Sequence, residues 1–235
     1  MSRHFRVWKS VIEKPKWWRW ARLRITRENL SGVLDCQLAR IVPEIKINDD
    51  LSHHNRIRLV GEVLKNLKTG DLPGLEKLRF RPTDLSSLSA SLLTAVVGLK
   101  ECVLMDCQLT SEQLTAIFMA IMEAGDLKLR HLDVYGNSLA AVSVDTLAMA
   151  AARLDTLIAG ETELGSERVE TILRSILAME DLRLKKLTIF TLHRTILPQI
   201  CPAILSAAEV KLSTDLTAQS IVGASNWDPR HAGVV

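Results

Sequence analysis

The chain has 235 residues and a formal net charge of +3, with 47% hydrophobic, 4% aromatic and 24% charged residues. This length is enough to bury a substantial core, and the composition argues against wholesale disorder. No stretch approaches the roughly 20 apolar residues of a membrane span, and no apolar run after Met1 resembles a signal peptide.

The first 30 residues are the most basic part of the chain, with nine Lys/Arg against two Asp/Glu. This stretch also holds four tryptophans, Trp8, Trp17, Trp18 and Trp20. A basic surface with aromatic residues is one that nucleic acid or a membrane surface can bind. We favour a charged, solvated face over a tryptophan cluster, with residues 1–19 capping the edge of the segment that follows.

Residues 6–25 read R-V-W-K-S-V-I-E-K-P-K-W-W-R-W-A-R-L-R-I. They resemble the last third of an F-box, which closes with a tryptophan, an amphipathic turn and a second tryptophan at the spacing of Trp8 and Trp18. The resemblance implies an F-box-like substrate-recognition subunit of a cullin-type ubiquitin ligase, whose partner would be the linker subunit of that ligase. The leading helices that grip this subunit would lie before Met1, so we favour the cap as the present role of residues 1–19.

A pattern of eleven residues recurs through residues 20–217 and is clearest in L-R-H-L-D-V-Y-G-N-S-L, residues 129–139. Apolar residues occupy its first, fourth, sixth and eleventh positions, and Asn137 occupies the ninth. The first positions are Trp20, Val42, Leu75, Leu99, Leu129, Leu154, Leu184 and Ala207. Short and long intervals alternate, which indicates a doublet of about 55 residues as the repeating unit.

The fourth and sixth positions lie two residues apart, so each frame predicts a short strand with these side chains on one face. Pro43 has no backbone donor and is expected at the opening of the second strand. The stretch 48–58 is polar and predicts a long loop or an irregular turn. Between strands, a capping-box spacing from Thr110 to Gln113, followed by apolar residues at helical intervals, predicts a helix.

This pattern resembles the leucine-rich repeats of the ribonuclease-inhibitor-like class, most closely in residues 99–109 and 129–139, where Cys107 takes the place of Asn137. The resemblance implies an α/β fold: a right-handed solenoid, or horseshoe, with a parallel sheet on the concave side and helices on the convex side. We expect seven or eight strands within residues 20–217, and a C-terminal tail at 218–235. Such repeats commonly follow an F-box directly.

The third, fifth and seventh frame positions are expected on the concave face, because they alternate with the buried fourth and sixth positions. From these positions we select a partner-binding surface: Arg79, Arg81, Val103, Met105, Asp133, Tyr135, Ile158 and Phe190. Tyr135, Met105 and Phe190 would anchor a partner protein, while Arg79 and Arg81 would steer its acidic end. The alternative is a frame shifted by one residue, which would place such side chains, above all Ile158 and Phe190, in the core.

The sequence shows no nucleophile elbow, phosphate loop or zinc-protease motif. Its four cysteines, Cys36, Cys102, Cys107 and Cys201, form no C-x-x-C pair, and the side chains of His53 and His54 diverge because these residues are adjacent. We therefore expect no enzyme activity, no metal and no cofactor, and buried reduced thiols in a cytoplasmic or nuclear protein. The leading hypothesis is a non-enzymatic protein–protein interaction scaffold. The ligase subunit is the alternative, nucleic-acid binding is a third class, and no membrane partner is expected.

Overall fold

The computed structural model describes residues 22–25, 43–47, 52–80, 82–160 and 164–188, together with residue 207. The predicted N-terminal cap (residues 1–19) and tail (218–235) lie outside these residues. So do Arg81 and Phe190 of the predicted surface, and two of the cysteines, Cys36 and Cys201.

A parallel sheet of seven strands is the central element, and its strand order follows the order of the chain. The strands are β1 (Arg22–Ile25), β2 (Glu44–Ile47), β3 (Lys77–Arg79), β4 (Glu101–Val103), β5 (His131–Asp133), β6 (Thr156–Ile158) and β7 (Lys186–Thr188). The predicted parallel sheet is therefore confirmed, and each predicted frame from Trp20 to Leu184 contributes one strand to it.

Five α-helices accompany the sheet in the described residues: α1 (His53–Thr69), α2 (Ala90–Leu93), α3 (Ser111–Glu123), α4 (Val144–Ala152) and α5 (Ser166–Leu177). A 3-10 helix, Thr94–Gly98, follows α2 directly. One helical segment separates each pair of consecutive strands from β2 to β7. Strand and helix alternate along a sheet whose strands stay in sequence order, an arrangement that fits an α/β solenoid.

The fourth frame positions form one buried row across the sheet. The register aligns Ile45, Leu78, Cys102, Leu132, Leu157 and Leu187, and each is at most 2% exposed. The same core cluster contains the buried residues of α1, α3, α4 and α5, apart from Gln113 and Ala152. The core thus lies between sheet and helices. The third and fifth positions lie on the opposite side, which we call the open face.

Helix α1 corrects the prediction of a loop at 48–58, which is wrong from His53 onward. The Ser52 side chain caps this helix by accepting a hydrogen bond of 3.4 Å from the Asn55 amide. Its buried residues, Leu59, Val60, Val63 and Leu64, come only after the polar stretch. The first turns are polar because they are largely solvent-exposed, and the later turns supply the packing that stabilises the whole helix.

Helix α3 begins with the predicted capping box. The Thr110 hydroxyl accepts from the Gln113 amide at 3.2 Å, and the Gln113 side-chain oxygen accepts from the Thr110 amide at 2.8 Å. The buried Gln113 side chain also donates to the Leu85 and Leu88 carbonyls of the preceding repeat. One side chain therefore both starts the helix and joins neighbouring repeats.

Asn137 fixes the turn after β5. Its Oδ1 accepts from the Leu109 amide at 3.0 Å, and its Nδ2 donates to the carbonyls of Leu104 (2.8 Å), Val134 (2.9 Å) and Tyr135 (3.1 Å). Leu104 and Leu109 belong to the preceding repeat. The amide therefore satisfies backbone groups of two repeats in a place where water is excluded.

Backbone carbonyls at the second frame position add a second link between repeats. The Pro43 carbonyl accepts from the amides of Glu76 and Lys77, both at 2.8 Å, and the Glu76 carbonyl accepts from Lys100 and Glu101 in the same way. Pro43 directly precedes β2, so its predicted place at the opening of the second strand is confirmed. Among the described helices, none combines the length and apolar character required to cross a membrane.

Candidate functional site

The open face carries two aligned columns of side chains. The third frame positions form one column: Glu44, Lys77, Glu101, His131, Thr156 and Lys186. The fifth positions form the other: Lys46, Arg79, Val103, Asp133, Ile158 and Thr188. Neighbouring strands lie about 4.8 Å apart, so residues next to each other in a column are lateral neighbours. The predicted fifth-position alignment is therefore confirmed from Arg24, which pairs with Lys46, to Thr188.

Strands β2, β3 and β4 carry a network of ion pairs on the open face. The Arg79 guanidinium lies 2.5 Å from a Glu101 carboxylate oxygen and 3.9 Å from one of Glu44, and Lys77 Nζ lies 3.0 Å from Glu101. Burial acts to raise the pKa of Glu101, but the hydrogen bond from Lys77 and the charge of Arg79 outweigh it and lower the pKa. Two carboxylates thus balance the charge of Arg79, and its expected role in steering an acidic partner stays a prediction.

Next to this network lies the central patch, which we define as Val103, Met105, Asp133, Tyr135 and Ile158. Each of these side chains is partly exposed, whereas the residues between them, such as Leu104 and Val134, are fully buried. The parallel ladder continues past the strands, since the Leu104 amide donates to the Asp133 carbonyl at 2.8 Å and the Asp106 amide to that of Tyr135 at 2.8 Å. Ile158 is thus on the open face, and the frame is not shifted there.

The turns after β4 and β5 hold the patch in place. Asp106 and Gly136 occupy equivalent frame positions and both have left-handed backbone, with φ of 52° and 70°. A Cβ on Gly136 would lie 1.8 Å from Asp106 Oδ1 and would displace that carboxylate, and the left-handed backbone also favours glycine there. Asp106 is one of the few residue types that tolerate this conformation without being glycine. Met105 and Tyr135, each one residue before such a turn, are therefore fixed relative to each other.

Asp133 is the charged member of the central patch. Its Oδ1 accepts a hydrogen bond of 3.0 Å from the Tyr135 amide, and no cationic nitrogen of the described residues lies within 4.0 Å of its carboxylate. Burial raises the pKa of Asp133 to about 6, and the negative charge of Asp106 adds to the increase. The hydrogen bond from Tyr135 and the positive charge of Arg79 act in the opposite direction. The ionised carboxylate is therefore costly to the folded protein at neutral pH.

We expect Asp133→Asn to flatten the pH dependence of stability. Because folding raises the pKa of Asp133 from 3.8 to about 6, this group stabilises the fold below pH 3.8 and loses that contribution as pH rises to about 6. Between about pH 4 and pH 7, the variant should gain about 2–3 kcal/mol relative to the wild type. Urea unfolding across this range measures the difference. Asp126→Asn, at an exposed position, is the control, and parallel profiles for Asp133→Asn and wild type would contradict the expectation.

His131 neighbours Glu101 in the third-position column and is partly exposed. Burial lowers the pKa of His131; Glu101 acts in the opposite direction, and the cations Arg79, Lys77 and Lys186 add to the lowering. His131 is therefore mainly neutral at physiological pH and offers hydrogen bonds rather than a charge.

Cys102 and Cys107 pack in the core, as predicted. Both are free and buried. Burial raises the pKa of Cys107 to about 12, and burial raises that of Cys102 well above its usual value. The thiolate forms needed for reaction or metal binding are thus disfavoured. Nowhere in the described ranges do three His, Cys, Asp or Glu side chains come together as a metal site.

An open, polar cavity of about 380 Å³ lies away from the open face, where helices end and strands begin; Asp126, Arg130, Arg153 and Arg183 are among its lining residues. The Arg153 guanidinium is bound to the Ile121 carbonyl at 2.7 Å and also to those of Met122 and Ala124, which close the end of α3. Arg183 lies 3.1 Å from Asp155. Two of the arginines that line this cavity, Arg153 and Arg183, thus bind structural partners, and the functional site is not assigned to the cavity.

The structure places five of the eight sequence-predicted site residues together in the central patch and a sixth, Arg79, in the ion-pair network beside it. Arg81 and Phe190 fall outside the described residues. The prediction omitted Glu44, Lys77, Glu101 and His131, although the same alternation of period two places these third-position residues on the open face.

No protein-family model matches this chain, and no curated protein matches its sequence.

Proposed function

We propose that the chain is a non-enzymatic protein–protein interaction scaffold of the leucine-rich-repeat type, which binds a partner protein on the open face of its sheet. The proposal includes the finer shape, a right-handed horseshoe with the open face on its concave side. It also places the protein in the cytoplasm or nucleus, where free buried cysteines such as Cys102 and Cys107 are typical.

The central patch is the observation that carries this proposal. It groups Val103, Met105, Tyr135 and Ile158, three aliphatic or thioether side chains and one aromatic ring, on a face that is otherwise rich in charge. Partly exposed apolar side chains that are grouped, rather than scattered, are typical of protein-binding surfaces. Tyrosine and methionine are also enriched in the buried centres of such interfaces.

The test replaces patch residues and compares them with exposed apolar residues on the helices. We expect Tyr135→Ala and Met105→Ala to weaken capture of a partner from lysate, with Tyr135→Ala losing about 30-fold in affinity, which corresponds to about 2 kcal/mol. Met119→Ala and Met149→Ala are the matched controls, because these side chains are 38% and 42% exposed on α3 and α4.

Thermal unfolding of the same variants separates binding from folding. Partial exposure of Tyr135 and Met105 leads us to expect cooperative unfolding like that of the wild type. Folded variants that still capture the same proteins as the controls would place the binding surface elsewhere. Loss of the folded state would instead assign these side chains to the core.

A further inference from the structure

The carboxylate of Asp133 lies in an unusual setting for a charged group: it has apolar neighbours on both sides, and no cationic nitrogen of the described residues lies within 4.0 Å of it. The sheet register places Val103 on one side of Asp133 and Ile158 on the other. Tyr135 follows two residues later on the same face. One carboxylate oxygen accepts from the Tyr135 amide, and the other has no hydrogen-bond or ion-pair partner among the described residues.

On the basis of the strand-face binding proposed above, we propose that Asp133 receives an arginine or lysine side chain from an extended segment of the partner protein, in which apolar residues flank the basic one. The carboxylate would form the ion pair, while Val103 and Ile158 would contact the aliphatic stem. Long basic side chains bury their methylene stems against apolar surface in this way. The Tyr135 ring adds a face on which a guanidinium can stack.

The cations of the described strand β3 and the imidazole of β5 do not take this role. Arg79 and Lys77 are bound to Glu101, and His131 is held mainly neutral by burial. Asp106, whose charge also raises the pKa of Asp133, adds negative potential on the same side. An incoming cation would therefore meet a carboxylate whose ionised form it stabilises, and the flanking apolar side chains would exclude water and strengthen the pair.

The same charges disfavour other classes of ligand at this position. A phosphate of nucleic acid would approach Asp133 and Asp106, with Glu101 close by, and the cations beside them are already paired. A partner with an acidic group here would meet the like charges of Asp133 and Asp106. A basic, apolar-flanked peptide segment is the chemistry that complements all five residues of the central patch.

Selection from a displayed library of random peptides on the immobilised full chain tests the inference. We expect the selected peptides to be enriched in arginine or lysine beside apolar residues, and to lose binding on Tyr135→Ala. Asp133→Asn should lower the affinity of these peptides about tenfold or more, because it removes the negative charge. The variant keeps a side-chain oxygen that can accept the hydrogen bond from the Tyr135 amide. Asp126→Asn, an exposed carboxylate away from the patch, should leave their affinity unchanged.

A charge exchange provides the second variant. Peptides in which glutamate replaces the selected basic residue should bind Asp133→Lys better than the wild type. Peptides that depend on Tyr135 but show no basic enrichment, and are indifferent to Asp133→Asn, would overturn this inference and leave the proposed function standing. A selection without any Tyr135-dependent peptide would overturn the proposed function, and this inference with it.

Discussion

Replacing Asn137 with alanine is expected to lower the free energy of unfolding by about 3–5 kcal/mol, because it leaves several buried backbone groups without partners. The side chain makes four hydrogen bonds, to Leu109, Leu104, Val134 and Tyr135, and Asn137 is 1% exposed. Each buried group left unsatisfied costs about 1–3 kcal/mol, and an alanine methyl replaces none of these bonds.

Urea unfolding of three variants measures this effect. Asn55→Ala is the matched control: Asn55 lies partly exposed on α1, and its side chain forms no hydrogen bond with the described residues, so we expect a change within about 0.5 kcal/mol. Asn137→Cys introduces the residue type that Cys107 supplies at the same position of the preceding repeat. Its loss in free energy of unfolding should lie between those of Asn137→Ala and Asn55→Ala. A change below about 1 kcal/mol for Asn137→Ala would show that water replaces the amide.

Truncating Leu132 to alanine is expected to cost about 2–5 kcal/mol, the range for a fully buried leucine. Leu132 is 0% exposed in the middle of the sheet, between Cys102 and Leu157. Its neighbours belong to short strands whose positions are fixed by pairing on both sides, so the cavity cannot collapse easily. Leu177→Ala, at the partly buried end of α5, should cost about half as much. Equal losses for the two variants would contradict this account.

Most of the sheet could be predicted from sequence because its signal is local. The two-residue alternation around Leu132 depends only on which side chains face the core, and it recurs often enough to fix the frame of every strand from β1 to β7. Helix α1 shows the limit of such signals, since its first turns are polar and gain their stability from burial of Leu59 and Val60 later in the helix.

The candidate site could be predicted in position but not in electrostatics. The frame placed Val103, Asp133 and Ile158 side by side, as the register has them. The pairing of Arg79 with Glu101 depends on which charges meet across strands that are 22 residues apart in sequence. The raised pKa of Asp133 depends first on burial and then on Asp106, Arg79 and the Tyr135 amide. Neither property is contained in any one repeat.

The agreement between strand order and chain order has a consequence for how this protein folds. Each of the seven strands pairs only with its neighbours in the chain, and β1 and β7 have one neighbour each. No pairing therefore has to close a segment longer than about one repeat. The loop-closure cost of the sheet is therefore met one repeat at a time. We expect the chain to nucleate in its middle repeats, where α3 buries Phe118 and Asn137 bonds to the repeat before it, and to grow outward one repeat at a time.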